Sequence, residues 1–143
     1  MTDRTILIVE DEDMARSLMA MLVRKAGFAV LAVRSGAECL EAAASLAPTA
    51  VLMDIRLGEE CGLELCRRLR RMPALAEVPV VFVTAYTSAE VMRRLGGLRR
   101  VGLISKPFMP ATFMQRLGQC LSEIRMGGGI AAPPAHRLPS ASA

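Results

Sequence analysis

Two kinds of apolar periodicity alternate along the chain. Runs of four or five almost entirely apolar residues are typical of parallel strands that are covered on both faces, and they occupy residues 5–9, 29–33, 50–53, 80–83 and 101–104. Segments with the helical period lie between these runs. Because parallel strands are joined by right-handed crossovers, usually through helices, this alternation predicts an α/β fold in which helices cover a five-stranded parallel sheet.

The predicted helices carry apolar positions three and four residues apart. These stripes consist of Met14, Leu18, Met21 and Leu22 in the first helix, Leu65, Cys66 and Leu69 in the third, and Phe113, Leu117, Cys120, Leu121 and Ile124 in the fifth, with Met14, Leu18, Phe113 and Leu117 assigned to core packing. Ser35 and Glu38 have the spacing of a capping box before a second helix over residues 37–46. Ser88 and the glycines at 96 and 97 delimit a short fourth helix.

A change of composition divides the chain near Met126. The 143 residues are one domain in size and are 52% hydrophobic, which is enough to build a core. After Met126 the sequence turns to Gly, Pro, Ala and Ser, so we predict a folded domain over residues 1–125 and a flexible tail over 126–143. Since no apolar run reaches the roughly 20 residues of a membrane span and no signal-peptide core is seen, we expect a soluble, cytoplasmic protein without membrane contact.

The histidine and cysteine content narrows the possible chemistry. The single histidine, His136, lies in the predicted tail, so the folded domain has no Ser-His-Asp triad, Cys-His pair or histidine metal cluster. Cys39, Cys61, Cys66 and Cys120 show no CxxC spacing, and we expect reduced, mostly buried thiols. Any chemistry must therefore use carboxylates, hydroxyls and lysine. The net charge of +4 permits an acidic partner or nucleic acid without establishing either.

Polar side chains follow the predicted strands at the ends where a parallel sheet binds its ligands. Glu10 and Asp11 follow the first strand, and Asp54 follows the third. Thr84 follows the fourth strand, and Lys106 lies just beyond the fifth. Because ligands of open parallel sheets bind beyond the carboxyl ends of the strands, we expect these five residues to converge on one site. None of the strand ends has the glycine-rich loop of a nucleotide-binding site.

Three carboxylates at one site repel one another unless a cation lies between them. An all-oxygen set suits Mg²⁺, which retains several waters and needs only one or two direct carboxylates. A carboxylate beside such an ion can act as a nucleophile and form an acyl phosphate, while the metal and a lysine neutralise the phosphoryl oxygens. A threonine hydroxyl can then bond one of those oxygens and report the modification to its own loop.

Each of these residues also has an ordinary explanation when it is considered alone. Asp54 alone could be a loop carboxylate that caps the next turn. Glu10 and Asp11 alone could be acids that stabilise the N-terminus of the next helix. Thr84 is compatible with a local cap, and Lys106 with a solvated surface charge. These explanations do not account for the arrival of all five groups at one edge of the sheet.

Four segments at the strand ends resemble the response-regulator receiver family. They are residues 6–12, 51–54, 81–85 and 105–108, and the resemblance extends over residues 4–125. Each segment is a weak signal alone, but four in this order and spacing are highly specific. The resemblance implies a flavodoxin-like, doubly wound five-stranded parallel sheet of order 2-1-3-4-5 with five helices. It also implies Mg²⁺-dependent phosphorylation of an aspartate.

The same resemblance implies roles for individual residues. Asp54 is the implied phosphoacceptor, with Thr84 as the switch hydroxyl and Lys106 as the cation that contacts the phosphoryl group. The family also makes the Lys106–Pro107 peptide bond a candidate for the cis form. The implied metal ligands are Asp54, Asp11, the backbone carbonyl of Arg56 and, through water, Glu10.

Several positions differ from the family pattern or vary within it. Leu103 replaces the usual aromatic residue three positions before Lys106. Gly58 replaces a common proline, so we expect a looser loop after Asp54. Arg56 and Tyr86 flank the site, and we hypothesise that they meet over the phosphoryl group and slow attack by water. The alternative is two solvated side chains.

The sequence therefore favours a stand-alone receiver that accepts a phosphoryl group on Asp54 from a histidine kinase or histidine phosphotransfer protein. We expect it to switch protein contacts through the face formed by the fourth helix, fifth strand and fifth helix, without direct DNA binding. Arg93, Arg94, Arg99 and Arg100 near this face suit an acidic partner, and a solvated basic surface is the alternative.

Two other classes of function stay open. One is an interaction module that is not phosphorylated, which the complete acidic set with Thr84 and Lys106 disfavours. The other is a true enzyme, such as a phosphatase with an aspartyl intermediate. That chemistry generally needs a second acid near the nucleophile, and Ile55 and Arg56 after Asp54 supply none. We therefore expect a phosphoacceptor that takes part in its own phosphorylation and dephosphorylation rather than an enzyme.

Overall fold

The computed structural model describes residues 4–127, in which five helices alternate with the five strands of one sheet. The strands are β1 (Thr5–Val9), β2 (Ala29–Val33), β3 (Ala50–Met53), β4 (Val80–Thr84) and β5 (Val101–Ser105). The helices are α1 (Asp13–Lys25), α2 (Gly36–Ser45), α3 (Gly62–Arg70), α4 (Ala89–Gly96) and α5 (Pro110–Arg125). A short antiparallel ribbon pairs Arg56–Leu57 with Glu60–Cys61. From residue 128 onward, the predicted tail lies outside the described residues.

All five strands are parallel and lie in the order β2-β1-β3-β4-β5. The predicted α/β fold with sheet order 2-1-3-4-5 is therefore confirmed. The strand order reverses between β1 and β3, and in such sheets ligands bind at the carboxyl ends of the strands that flank the reversal. No helix between residues 4 and 127 is both long and apolar enough to cross a membrane.

Alternate side chains of the central strands enter two separate cores, because successive strand residues point to opposite faces of the sheet. Leu7, Val51 and Phe82 pack beneath α2, α3 and α4. Ile8 and Leu52 pack on the other face, beneath α1 and α5. Every residue of β3 and β4 is buried, which explains why these runs are almost uniformly apolar.

Two expectations about burial are wrong. β2 is not covered on both faces, because its residues are exposed or half-buried and Leu31 is 40% exposed. On α1, Met14 was assigned to the core but is 78% exposed, and Met21 of the same apolar stripe is 50% exposed. At about 100° per residue, these two methionines point away from Met19 and Val23, which are the buried positions that face the sheet.

The predicted helix caps are confirmed with one change in detail. Ser35 Oγ accepts a hydrogen bond from Glu38 N–H at 3.1 Å, and Ser88 Oγ accepts one from Val91 N–H at 3.3 Å. The Glu38 carboxylate accepts a hydrogen bond from Arg34 N–H at 2.9 Å. In a capping box the donor would be the N–H of the N-cap residue, which is Ser35. Both helices therefore begin where the sequence indicates.

The loop after β3 forms a defined ribbon where we expected a looser loop. Gly58 has a φ of 62°, a left-handed conformation that favours glycine and allows the tight turn. Gly62 then begins α3, and its N–H donates to Ile55 O at 2.6 Å. A Cβ on Gly62 would lie 2.1 Å from the backbone oxygen of Asp54, so this close approach of helix and loop requires glycine.

The four cysteines are free thiols, as expected, and three of them are buried. Burial, with a smaller contribution from the charge of Glu60, raises the pKa of Cys39 to about 12. Burial also raises the pKa of Cys66 and Cys120. Since the thiolate is the reactive form, these three side chains act as small core residues.

We predict that Gly62→Ala lowers the free energy of unfolding by about 1–3 kcal/mol, because the added methyl group must displace the backbone of Asp54. Gly118→Ala is the control. A Cβ there meets no atom within 4 Å, so loss of a helix-interior glycine is expected to raise stability by up to about 1 kcal/mol. Urea unfolding followed by circular dichroism measures both. Equal stability of the two variants would contradict the close packing at Asp54.

Candidate functional site

The carboxyl edge of the sheet brings together predicted site residues from separate strands. Asp54 N–H donates to Val9 O at 3.4 Å, which places the acid after β3 beside the end of β1. Lys106 N–H donates to Thr84 O at 2.9 Å and so extends β5 alongside β4. Glu10 is 1% exposed, Asp54 is 7% exposed and Thr84 is fully buried. These polar side chains therefore lie in the protein interior and not on a solvated rim.

The ammonium group of Lys106 joins two of the three predicted acids. Its Nζ lies 2.9 Å from Glu10 Oε1 and 2.9 Å from Asp54 Oδ2. The other carboxylate oxygens accept backbone N–H groups at 3.2 Å, from Glu12 to Glu10 Oε2 and from Arg56 to Asp54 Oδ1. Because the lysine side chain is only 21% exposed, these charges interact with little screening by water.

Burial shifts the pKa values of two of these groups. Desolvation raises the pKa of Glu10 above its ordinary value, and it outweighs the opposing effect of Lys106. Desolvation lowers the pKa of Lys106, but the hydrogen bonds and charges of Asp54 and Glu10 together outweigh it and raise the pKa. Lys106 is therefore a firmly protonated cation between two carboxyl groups.

Asp11 lies apart from this cluster. The residue is exposed, and its Oδ2 lies 3.8 Å from the position that a Cβ on Gly58 would take, near the turn of the ribbon. Within the described range, residues 4–127, no three Asp, Glu, His or Cys side chains are close enough to hold a metal ion together. The structure thus joins Glu10 to Asp54 through Lys106, whereas Asp11 is exposed and is not part of these contacts.

The donor chemistry nevertheless fits Mg²⁺. This ion prefers hard oxygen ligands and retains several waters, so the carboxylates of Asp11 and Asp54 with the carbonyl of Arg56 suit it without a cage of three acids. The raised pKa of Glu10 shows that Lys106 alone does not fully offset the desolvation of this acid. A second cation at this edge is therefore electrostatically favourable.

Arg56 and Tyr86 contact each other beside the site, so they are not two separately solvated side chains. Arg56 Nη1 donates to Tyr86 Oη at 3.1 Å, and the guanidinium carbon lies 5.1 Å from the ring centroid. Tyr86 N–H in turn donates to Thr84 Oγ1 at 3.1 Å. One path of contacts therefore links the buried threonine hydroxyl to an exposed guanidinium.

Two other expectations concern the strand that ends at this edge. The Lys106–Pro107 peptide bond is cis, as expected. Leu103 is 5% exposed and packs in the core beneath α2, α3 and α4, while its carbonyl accepts from Arg116 Nη2 at 3.0 Å. The leucine side chain thus fills an interior position and, being apolar, makes no hydrogen bond there.

The arginines of α4 and the loop after it are paired with acids. The pairs are Arg93 with Glu90, Arg94 with Glu64 at 3.1 Å, Arg99 with Glu77 at 2.8 Å, and Arg100 with Glu77 at 3.6 Å. Most of these side chains are exposed, so each pair contributes little to stability. The pairs do offset the positive charge, and this surface is less basic than the sequence suggests.

Arg16 is a site neighbour that the sequence reasoning missed. Its Nη1 donates to the backbone oxygen of Glu10 at 3.0 Å, and its Nη2 donates to Asp13 Oδ1 at 2.5 Å. The spacing of Asp13 and Arg16 on one helix was the available signal, but it indicates only their mutual contact. The contact with Glu10 depends on how α1 turns back over the end of β1.

Known proteins share this fold and these sequence segments. The response regulator receiver domain family matches residues 6–118. The polar-differentiation response regulator DivK of Brucella ovis is 33% identical over 122 residues, covering 84% of this chain and 98% of DivK. The phosphate regulon transcriptional regulatory protein PhoB of Pseudomonas aeruginosa is 31% identical over 150 residues, covering 96% of this chain and 64% of PhoB. The chain thus spans less than two thirds of PhoB.

Solved structures show the same architecture. The chemotaxis protein CheY4 of Vibrio cholerae superimposes with a TM-score of 0.78 at 23% identity, covering 83% of this chain and 99% of CheY4, which shows the fold alone. A response regulator receiver protein from Sinorhizobium medicae has a TM-score of 0.72 at 27% identity, covering 85% of this chain and 97% of that one. The fold and the sheet-edge acids define a signalling receiver. The chain belongs to the response regulator receiver domain family of two-component systems.

We predict that Lys106→Met lowers the free energy of unfolding at neutral pH in EDTA by about 2–4 kcal/mol, because two buried carboxyl groups lose the cation between them. Burial already raises the pKa of Glu10, and removal of Lys106 raises it further. A carboxyl group whose folded pKa is raised destabilises the fold as the pH rises past its ordinary pKa. The deficit should therefore shrink as the pH falls towards 4.5.

Urea unfolding at neutral pH and near pH 4.5 measures this difference. Lys25→Met changes the only other lysine, which is exposed on α1, and is expected to alter stability by less than about 0.5 kcal/mol. A deficit in Lys106→Met that stays constant with pH would contradict the electrostatic explanation.

Proposed function

We propose that Asp54 accepts a phosphoryl group from a histidine kinase or histidine phosphotransfer protein and that the resulting aspartyl phosphate switches protein contacts. One observation carries the proposal. Asp54 is nearly buried at the carboxyl edge of the sheet, with the Lys106 ammonium 2.9 Å from one oxygen and a backbone N–H on the other. Phosphoryl transfer chiefly requires positioning and charge neutralisation, and this arrangement supplies both.

The proposed transfer is a displacement at phosphorus. A carboxylate oxygen of Asp54 forms a bond to phosphorus while the phosphorus–nitrogen bond of a donor phosphohistidine breaks, and its electron pair stays on the imidazole nitrogen. Lys106 neutralises a phosphoryl oxygen from the place it already holds beside Asp54. Asp11, Asp54 and the Arg56 carbonyl would hold Mg²⁺, with Glu10 acting through water, and the bound ion would supply further neutralisation.

Thr84 is the proposed reporter of the modification. Its hydroxyl is buried and accepts the Tyr86 N–H. Rotation of that hydroxyl towards a phosphoryl oxygen breaks this bond and shifts the population of loop states between β4 and α4. Because position 103 holds leucine and not an aromatic residue, we propose that Tyr86 transmits the change in this chain.

The proposed output is contact with another protein through α4, β5 and α5. A protein partner is favoured over DNA because the arginines around α4 are paired with carboxylates, and phosphate binding relies on positive charge. DivK, a response regulator, is matched over 98% of its length. We propose that this signalling takes place in the cytoplasm.

We predict that acetyl phosphate with Mg²⁺ adds one phosphoryl group to the wild-type protein, and that Asp54→Asn or EDTA abolishes the adduct. Intact-mass spectrometry measures it. Asp13→Asn, which changes an exposed acid on α1 near the site, is the matched control and should keep the adduct. No adduct on the wild-type protein would support the alternative of an interaction module. Rapid multiple-turnover release of phosphate would support the phosphatase alternative.

We predict that Arg56→Ala and Tyr86→Ala each shorten the half-life of phosphorylated Asp54 by about tenfold or less, because the paired side chains shield the phosphoryl group from water. Loss of the adduct with time, followed by mass, gives the half-life. Arg67→Ala, which removes an exposed arginine on α3, serves as control. An unchanged half-life in both site variants would refute the shielding role.

A further inference from the structure

A cavity opens at the edge of the sheet opposite to Asp54. Its volume is about 480 Å³, within the range of roughly 300–1,000 Å³ for small-molecule sites. Thr49 and Pro79, which precede β3 and β4, lie on one side and show that this is the amino edge. Phe28, Leu117 and Leu121 supply apolar surface to the cavity. The cavity is therefore separate from the phosphorylation site.

Positive charge borders this apolar surface. Arg4, Arg100 and Arg125 line the cavity, whereas no Asp or Glu of the described chain, residues 4–127, does so. Arg4 lies over the ring of Phe28, with its guanidinium carbon 5.0 Å from the ring centroid. Arg100 is partly neutralised by Glu77 at 3.6 Å. The charge pattern is complementary to an anion with an apolar body.

Gly118 leaves the wall of α5 open at this cavity. It lines the cavity, and a Cβ built on it would meet no atom within 4 Å. Glycine inside a helix is destabilising relative to alanine. The glycine at position 118 therefore costs helix stability, and a larger residue there would place its side chain in the cavity. The packing of the core does not require glycine here.

We propose that the cavity binds a small amphipathic carboxylate. Its apolar body would lie on Phe28, Leu117 and Leu121, where water is displaced from apolar surface. Its carboxylate would pair with Arg4 and Arg125, since guanidinium groups bind carboxylates in a planar, two-bond geometry. The proposal is independent of phosphorylation at Asp54.

Calorimetric titration of the full 143-residue chain with decanoate, below its micellar concentration, tests the proposal. We expect saturable one-to-one binding, with decanol and acetate each weaker by about tenfold or more, because one lacks the charge and the other the apolar body. Gly118→Leu should abolish binding by filling the cavity. Arg125→Gln should weaken binding by about tenfold, whereas Arg93→Gln, which removes an arginine from α4, should bind like the wild type.

Absence of decanoate binding to the wild-type chain would overturn the proposal. This holds also if the cause is that another segment, such as residues 128–143, covers the cavity. Equal binding of decanol and decanoate would also overturn it, because the arginines would then have no role. If Gly118→Leu does not fold, the comparison of Arg125→Gln with Arg93→Gln decides, and equal weakening in both would indicate non-specific attraction and contradict the site.

Discussion

The shared ammonium group of Lys106 is the interaction on which the site depends. Glu10 and Asp54 are almost fully buried, and a cation 2.9 Å from each offsets their mutual repulsion. Removal of charges from water costs free energy that pairing only partly recovers, and the raised pKa of Glu10 shows that the recovery is incomplete. The cluster has two carboxyl groups and one ammonium group, which supports the proposal of a divalent cation at this edge.

The parallel sheet makes that arrangement possible. Val9 of β1 pairs with Met53 of β3, so the acids that follow them, Glu10 and Asp54, are neighbours by register. Lys106 arrives from β5, two strands away from β3, and its long side chain spans the distance. The two cores hold the strands from both faces, and most of the fold therefore serves to fix three charged side chains.

A short series of contacts leads from the site to the surface. Thr84 is bonded to the backbone of Tyr86, and the Tyr86 ring holds Arg56. Leu103 fills an interior position, and the Tyr86 ring contacts Arg56 beside the site. A change at the buried threonine has a direct path to solvent-exposed groups.

The sequence by itself determined what depends on local order. Apolar runs, caps such as Ser35 and Ser88, and four family-like segments were sufficient to predict the strands, the helix starts and the edge at which the polar residues meet. The tertiary structure decided that β2 is partly exposed, that Met14 lies outside the core, and that Lys106 joins Glu10 to the acid after β3. Periodicity shows which side of a helix or strand is apolar. Contacts between distant residues depend instead on how the packed elements are oriented and on the pairing of charges that become buried.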